Sequence, residues 1–292
     1  MIRSFLFVPA DSERKMQKAF VSKADALILD LEDSVAASAR ADARVLAREY
    51  IEGRTDTWIR INPLDTEDAD LDLEAVISGR PAGIILPKPA SAGDAIDLGF
   101  RLDELEQEHG IESGATKILP LCTERPEALF ALGGYVGATP RLAGLSWGAE
   151  DLSTAIGAMA NRDESGNWLA PYQLARSLTL FAAAAAGVPA FDTVFTDFRD
   201  LDGLAVYAAN ARRDGFVGML AIHPAQIDVI NNAFRISKKQ RRHAQRIVDL
   251  FAANPGAGAL GLDGEMIDRP HLLQAQRILE LAATIDAEKE ND

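Results

Sequence analysis

The chain has a single cysteine in 292 residues, Cys122. One thiol excludes an intrachain disulfide framework and suits a reducing compartment. Its neighbours are apolar, so it reads as a packed core thiol and not as a nucleophile. Basic charge is also in short supply: 30 Lys and Arg stand against 44 Asp and Glu, a formal net charge of −14. Binding nucleic acid needs a basic face that releases counterions, so no nucleic-acid partner is expected. The two short basic groups, Lys15/Lys18/Lys23 and Lys238–Arg246, read first as solvated helix faces. Long apolar runs are missing too. The alanine run Ala182–Ala186 lies in a segment interrupted by Arg176 and Gly187, which makes it a packed helix and not a membrane span. Met1 to Pro9 is too short for a signal peptide and reads as a strand, so a cytoplasmic protein is expected. There is no G-x-G-x-x-G after the first strand and no Walker A loop, which removes the usual nucleotide-binding sheets.

What is present is alternation. Short apolar runs bounded by Gly, Pro or a charge read as buried parallel strands. They are Ser4–Pro9, Ala26–Leu31, Thr57–Asn62, Gly83–Lys88, Lys117–Cys122, Leu142–Trp147, Ala190–Phe195 and Met219–His223. Between them lie helical patterns at Ala37–Ile51, Ala95–His109, Pro126–Tyr135, Pro171–Ala186 and Leu201–Arg213. Several end at a glycine (Gly53, Gly110, Gly187, Gly215), where a left-handed residue closes a helix. Alternating strands and helices imply a parallel sheet with right-handed crossovers, and eight units close into a barrel. The expected fold is therefore α/β, a (β/α)8 TIM barrel over residues 1–235. Residues 236–292 form a C-terminal helical extension of the same domain: a helix at Ser237–Ala253, a glycine-rich link at Asn254–Gly264, then a helix from about His271 to Glu288.

In such a barrel the active site lies at the C-terminal strand ends. Strand two runs into Asp30-Leu31-Glu32-Asp33, strand three carries Arg60, and strand four ends at Lys88. Strand five leads to Glu124, strand six to Glu150 and Asp151, strand seven to Asp197, and strand eight ends at His223. Carboxylates gathered on one rim repel unless protonated or bound to a cation. Oxygen-only ligands suit Mg²⁺, and Glu124 with Asp151 is the expected pair. The plain alternative is that each caps the helix after it. An arginine inside a buried strand needs an anion, so Arg60 pairs either with substrate charge or with Asp30 or Glu32 beside it. Lys88 offers a competing chemistry, the Schiff base of a class I aldolase, but that leaves the carboxylates without a purpose. His223 is expected to brace the rim, and Asp192 to be a satisfied core carboxylate.

Read in order, SFLFVPA, ALILDLEDSV, WIRINP, ILPK, the Thr-Glu after strand five, WGAEDLS, AFDTVFTDFRD, IHPAQI and LDGEMIDRP span nearly the whole chain. Together they closely resemble the family of citrate lyase β-subunits, malyl-CoA lyases and citramalyl-CoA lyases, within the hydroxy-keto-acid aldolases. The resemblance implies metal carboxylates at Glu124 and Asp151 and a substrate-contacting arginine at Arg60. It implies that Asp30 and Glu32 orient that arginine and metal-bound water. Asp268 in MIDRP matches a catalytic acid/base that, in the family's CoA lyases, reaches into a neighbouring subunit's barrel; the plainer role is an N-cap for the helix at Pro270. A homo-oligomer, a trimer or hexamer, follows from that reach. Lys15 on the first helix is a candidate for the CoA phosphates. Ala10 departs from the family, where glycine is common.

The expected reaction is cleavage of a malyl-CoA- or citramalyl-CoA-type 3-hydroxyacyl-CoA into an acyl-CoA and a 2-keto acid, or the reverse. The alternatives are a CoA-independent pyruvate aldolase and a citrate lyase β-subunit acting on an acyl-carrier thioester within a complex.

Overall fold

The structure is a computed structural model that describes residues 2–290, with side chains to residue 283. It divides into two compact units, Ile2–Phe234 and a second that begins at Arg235.

The first unit contains strands β1 (Ser4–Pro9), β2 (Ala26–Asp30), β3 (Thr57–Arg60), β4 (Gly83–Leu86), β5 (Lys117–Pro120), β6 (Phe191–Asp192) and β7 (Gly218–Ala221). Its helices are α1 (Glu13–Phe20), α2 (Arg40–Ile51), α3 (Glu67–Val76), α4 (Ala92–Glu108), α5 (Ala149–Ala155), α6 (Ala170–Ala186), α7 (Leu201–Asp214) and α8 (Ile227–Ala233). The sheet order is β5-β4-β3-β2-β1-β7-β6, parallel at every pairing. The expected strand at 142–147 is present only as isolated parallel bridges, Ile118↔Leu142, Leu121↔Ser146 and Leu145↔Ala190. Those bridges nonetheless join β5 to β6 through backbone hydrogen bonds, among them Ser146 N to Pro120 O (3.0 Å) and Phe191 N to Leu145 O (2.9 Å). The sheet therefore closes on itself, with residues 142–146 as its eighth stave. That stave passes close to its neighbour at Gly144, where an added Cβ would lie 2.7 Å from the Phe191 ring and 2.8 Å from the Pro189 carbonyl oxygen.

Alternation along the strands sorts the core into two layers. Phe5, Ile28, Trp58, Ile85, Leu119, Phe191 and Leu220 form one buried cluster, the filling of the barrel. Phe5 meets Trp58 and Phe191 edge to face at centroid distances of 5.4 and 5.0 Å. The alternate residues, such as Leu27, Leu29, Ile59 and Ile84, pack with the helices in a larger cluster. Asp30 and Arg60 stand two residues beyond Ile28 and Trp58, so the inward face changes from apolar to ionic at the strand ends.

Some expectations need correction. Pro126–Tyr135 is two short 3-10 stretches, Pro126–Phe130 and Leu132–Tyr135, and not one α-helix. Helix α3 was not foreseen, because its acids obscure the apolar positions Ala69, Leu73 and Val76 that it buries. Lys23 lies beyond the end of α1. The four glycines expected to close helices all have positive φ. Cys122 is buried, and burial pushes its thiol up to about 12, which fits a packed thiol.

The second unit holds helix α9 (Lys238–Ala253), strands β8 (Ala259–Leu262) and β9 (Glu265–Asp268), and helix α10 (Arg269–Glu290). The glycine-rich link is thus partly an antiparallel hairpin, with Ala259 opposite Asp268. It turns at Asp263 and Gly264, both at positive φ. Ala244, Ile247, Ile267 and Ala275 form its small core. No helix among the described residues is long and apolar enough to cross a membrane.

Closure through Gly144 makes a testable demand. Gly144→Ala is expected to destabilise the fold by about 1–3 kcal/mol, the usual cost of overpacking. Gly133→Ala, where an added Cβ meets nothing within 4 Å, serves as the control. Urea unfolding of the two variants reads the difference; equal midpoints would show that the eighth stave is not tightly seated.

Candidate active site

At the C-terminal strand ends a cavity of about 330 Å³ is lined by Asp30, Asp33, Arg60, Glu124, Asp151 and an apolar wall that includes Phe7, Trp147 and Leu220. Arg60, Glu124 and Asp151, expected to share one cavity, do share it. A larger cleft of about 750 Å³ lies by Lys117, at the opposite end of β5. Two of its charged groups, Arg141 and Asp103, are tied into a structural cluster with Glu106: Arg141 Nη2 sits 2.6 Å from Glu106 Oε2 and 2.5 Å from Asp103 Oδ1.

Arg60 ends β3 directly opposite Asp30 in the parallel register. Its Nε and Nη2 donate to Asp30 Oδ1 and Oδ2 at 2.7 and 2.6 Å, a two-pronged pairing. Burial works against the Asp30 charge, but Arg60 and the backbone N–H groups of Glu32 and Ser34 outweigh it and hold the carboxyl below its usual range. Arg60 Nη1 also lies 3.0 Å from Glu32 Oε2, outside hydrogen-bonding geometry. Both readings of Arg60 are therefore compatible: its inner edge is held by Asp30, and it still lines the cavity.

Glu124 is buried, at 4% exposure, and its Oε2 accepts a 2.6 Å bond from the Lys88 backbone N–H. Gly148 is required beside it, since a Cβ there would lie 2.6 Å from Glu124 Oε1. Burial, then the charges of Asp151 and Glu32, push the Glu124 carboxyl up to about 8. Asp151 sits in the first turn of α5, where the helix N-terminus favours its negative charge. It makes no side-chain cap, and its carboxylate reaches the Lys88 ammonium at 3.3 Å. Burial likewise raises Glu32, to about 7, a rise that the Arg60 guanidinium and the Lys88 ammonium beside it oppose but do not cancel.

Lys88 is the residue that sequence reasoning underused. Its ammonium contacts Glu32, Asp33 and Asp151, and despite burial these carboxylates raise its affinity for a proton. A Schiff base needs the neutral amine, so this environment opposes that chemistry. Asp33 belongs to the same group and was visible only as part of the DLED run. The position of Lys88 between two prolines at a strand end was legible in the sequence; its three carboxylate contacts were not.

Within the first unit, Lys15, Asp192, Asp197 and His223 are not among the residues that line the cavity. Lys15 is exposed on α1 and is not among the residues lining the cavity. Asp192 is fully buried, receiving bonds from Trp147, Tyr207 and Arg176, as expected of a core carboxylate. His223 Nδ1 accepts from Ala225 N and so caps the turn after β7. Asp197 is exposed and accepts from Arg199 N. Asp268 ends β9 in the second unit, half-buried, with its Oδ1 2.5 Å from His271 Nδ1.

The citrate lyase β-subunit of Haemophilus influenzae is 35% identical over 96% of this chain and 96% of its own length. The mitochondrial citramalyl-CoA lyase of Rattus norvegicus is 32% identical over 97% of this chain and 86% of its own. The crystal structure of CitE from Mycobacterium tuberculosis in complex with magnesium, acetoacetate and coenzyme A matches with a TM-score of 0.79 at 32% identity, covering 96% of this chain and 98% of that one. Residues 3–224 match the HpcH/HpaI aldolase/citrate lyase family. An acid-rimmed parallel barrel, similar along nearly its whole length to such enzymes, belongs to the HpcH/HpaI aldolase/citrate lyase family and is a carbon–carbon lyase.

Proposed function

We propose that this lyase is magnesium-dependent and cleaves a 3-hydroxyacyl-CoA of the malyl- or citramalyl-CoA type into an acyl-CoA and a 2-keto acid, or joins them. The observation that carries the reading is Glu124: a buried carboxyl beside Asp151 and Glu32 whose charge burial and neighbours oppose. A hard dication relieves that opposition, and the donors are all oxygen. Among the described residues no three His, Cys, Asp or Glu side chains form a closed cage. Glu124 and Asp151 would hold such an ion, and they would leave its remaining positions to water or substrate oxygens, which suits Mg²⁺. When bound, it supplies Lewis-acid polarisation of the oxygens of the hydroxy or keto acid.

The remaining chemistry falls to this chain's own residues. In cleavage, Asp268 accepts the proton of the substrate hydroxyl. The adjacent carbon–carbon bond breaks, the keto-acid carbonyl forms, and the bonding electron pair passes into the thioester as an enolate. Arg60, held in orientation by Asp30, faces the charge that develops on the enolate oxygen, a contact strongest in the transition state. Glu32 supports Arg60 from its other side. The proton then returns from Asp268 to the acyl α-carbon. Asp268 is proposed to act on the barrel of a neighbouring subunit in a homo-oligomer, trimer or hexamer, in the cytoplasm, and Lys15 to meet the CoA phosphates. Residues 236–292 are read as an extension that delivers Asp268.

Three outcomes are expected. Arg60→Lys keeps the charge but loses the fork, and should lower kcat by about 10²-fold or more while moving the urea midpoint little; unchanged turnover would remove Arg60 from the mechanism. Asp268→Asn should cost a comparable factor. If Asp268 serves a neighbour, mixing that variant with Arg60→Lys should restore activity in hybrid oligomers, because some sites then have both native residues; no recovery after verified subunit exchange would place Asp268 elsewhere.

The third concerns pH. The folded Glu124 value, about 8, lies above the ordinary 4.5, so metal-free protein carries this proton at neutral pH. Magnesium must displace it, so affinity should fall about tenfold per unit as pH drops from about 8 to about 6, and level off above 8. The same shift means that the metal-free fold binds more protons than the unfolded chain between 4.5 and about 8, so the contribution of Glu124 to stability declines as pH rises through that window. Calorimetric titration of magnesium at pH 7 in buffers of different ionisation enthalpy counts the released proton. Absence of release would separate Glu124 from the metal, and turnover of malyl- and citramalyl-CoA that survives EDTA would sink the proposal as a whole.

A further inference from the structure

Lys88 has a backbone conformation that its side chain makes costly. It lies just beyond β4, between Pro87 and Pro89, at φ +47°. The left-handed region crowds the Cβ of any residue but glycine. Such conformations persist where the surroundings enforce them, commonly at functional sites. Glycine at this position would offer the same backbone N–H to Glu124 without that crowding. The lysine side chain is thus what the strain retains.

That side chain is fully engaged. Its ammonium, with three protons to donate, meets three carboxylates: Glu32 Oε1 at 2.5 Å, Asp33 Oδ2 at 2.9 Å and Asp151 Oδ1 at 3.3 Å. Its own N–H meets the fourth, Glu124. Each acid with which the proposed metal site is built or buttressed, Asp30 apart, touches this one residue. The longest of the ammonium contacts goes to Asp151, an expected metal ligand, and so is the one most easily given up.

We propose that Lys88 is the resident counter-ion of this site: its ammonium stands in for the divalent ion among Glu32, Asp33 and Asp151, and competes with that ion for Asp151. The inference rests on the reading of Glu124 and Asp151 as the magnesium ligands. Lys88 is a positioning residue in this account. It keeps mutually repelling acids in place before the ion arrives, and it lowers the affinity with which the ion is held, leaving exchange possible. An ordinary structural salt bridge predicts the opposite sign, because its loss loosens the site and weakens metal binding.

The test is magnesium affinity of the full-length protein, measured by calorimetry for the wild type, Lys88→Met and Lys88→Gln. Removing a unit charge beside a dication should tighten binding about tenfold. The thermal midpoint of each variant should fall more without metal than at saturating magnesium, because the ion then replaces the lost charge. Unchanged or weaker affinity in both variants overturns the inference. So does failure of both to fold at saturating magnesium, since Lys88 is dispensable there. A wild type that binds no magnesium instead overturns the metal reading itself, which keeps the two failures distinct.

Discussion

Unbalanced charge around one cavity is the constraint from which the rest of the site follows. Asp30, Glu32, Asp33, Glu124 and Asp151 crowd the C-terminal rim, and Arg60 and Lys88 are the cations that answer them in the described contacts. The two cations are not spread evenly. Arg60 is committed to Asp30 through both prongs of its fork, and Lys88 is divided among the other acids. Among the described residues Glu124 has a backbone N–H and no cation in contact, and its carboxyl is the one pushed furthest toward holding its proton. Burial makes this preference strong, because a carboxylate taken out of water without a counter-charge is costly.

The barrel makes the crowding possible. A parallel register brings Asp30 and Arg60 level on adjacent strands, and inward alternation points both at the same space. Below them the aromatic filling of Phe5, Trp58 and Phe191 keeps the floor dry, which strengthens every electrostatic interaction above it. Glycine has a comparable role on the walls. Gly148 lets Glu124 lie flat against the turn that leads to Asp151, and Gly144 lets the irregular eighth stave approach Phe191 closely enough to close the sheet.

The second unit poses a different question of placement. Its hairpin ends at Asp268, whose carboxylate is held by His271 one turn into the following helix.

Much of the fold was readable from residue order, because buried parallel strands are continuous apolar runs and glycines mark helix ends. Asp30, Glu32, Arg60, Glu124 and Asp151 could be named because charges at the ends of such runs have few structural uses. Helix α3 was hidden by acids on its own surface, and the 142–146 stave was over-read as regular because apolar content does not specify hydrogen-bond register. Lys88 was undervalued for a related reason: a lysine in a sequence declares its charge but not its neighbours, and only the closed barrel brings acids that follow β2 and the eighth stave to one ammonium. The sequence by itself determined the alternation, the strand ends and the chemical types gathered there. The tertiary structure alone decided which charges neutralise one another, because that depends on distances across the barrel that no local pattern encodes.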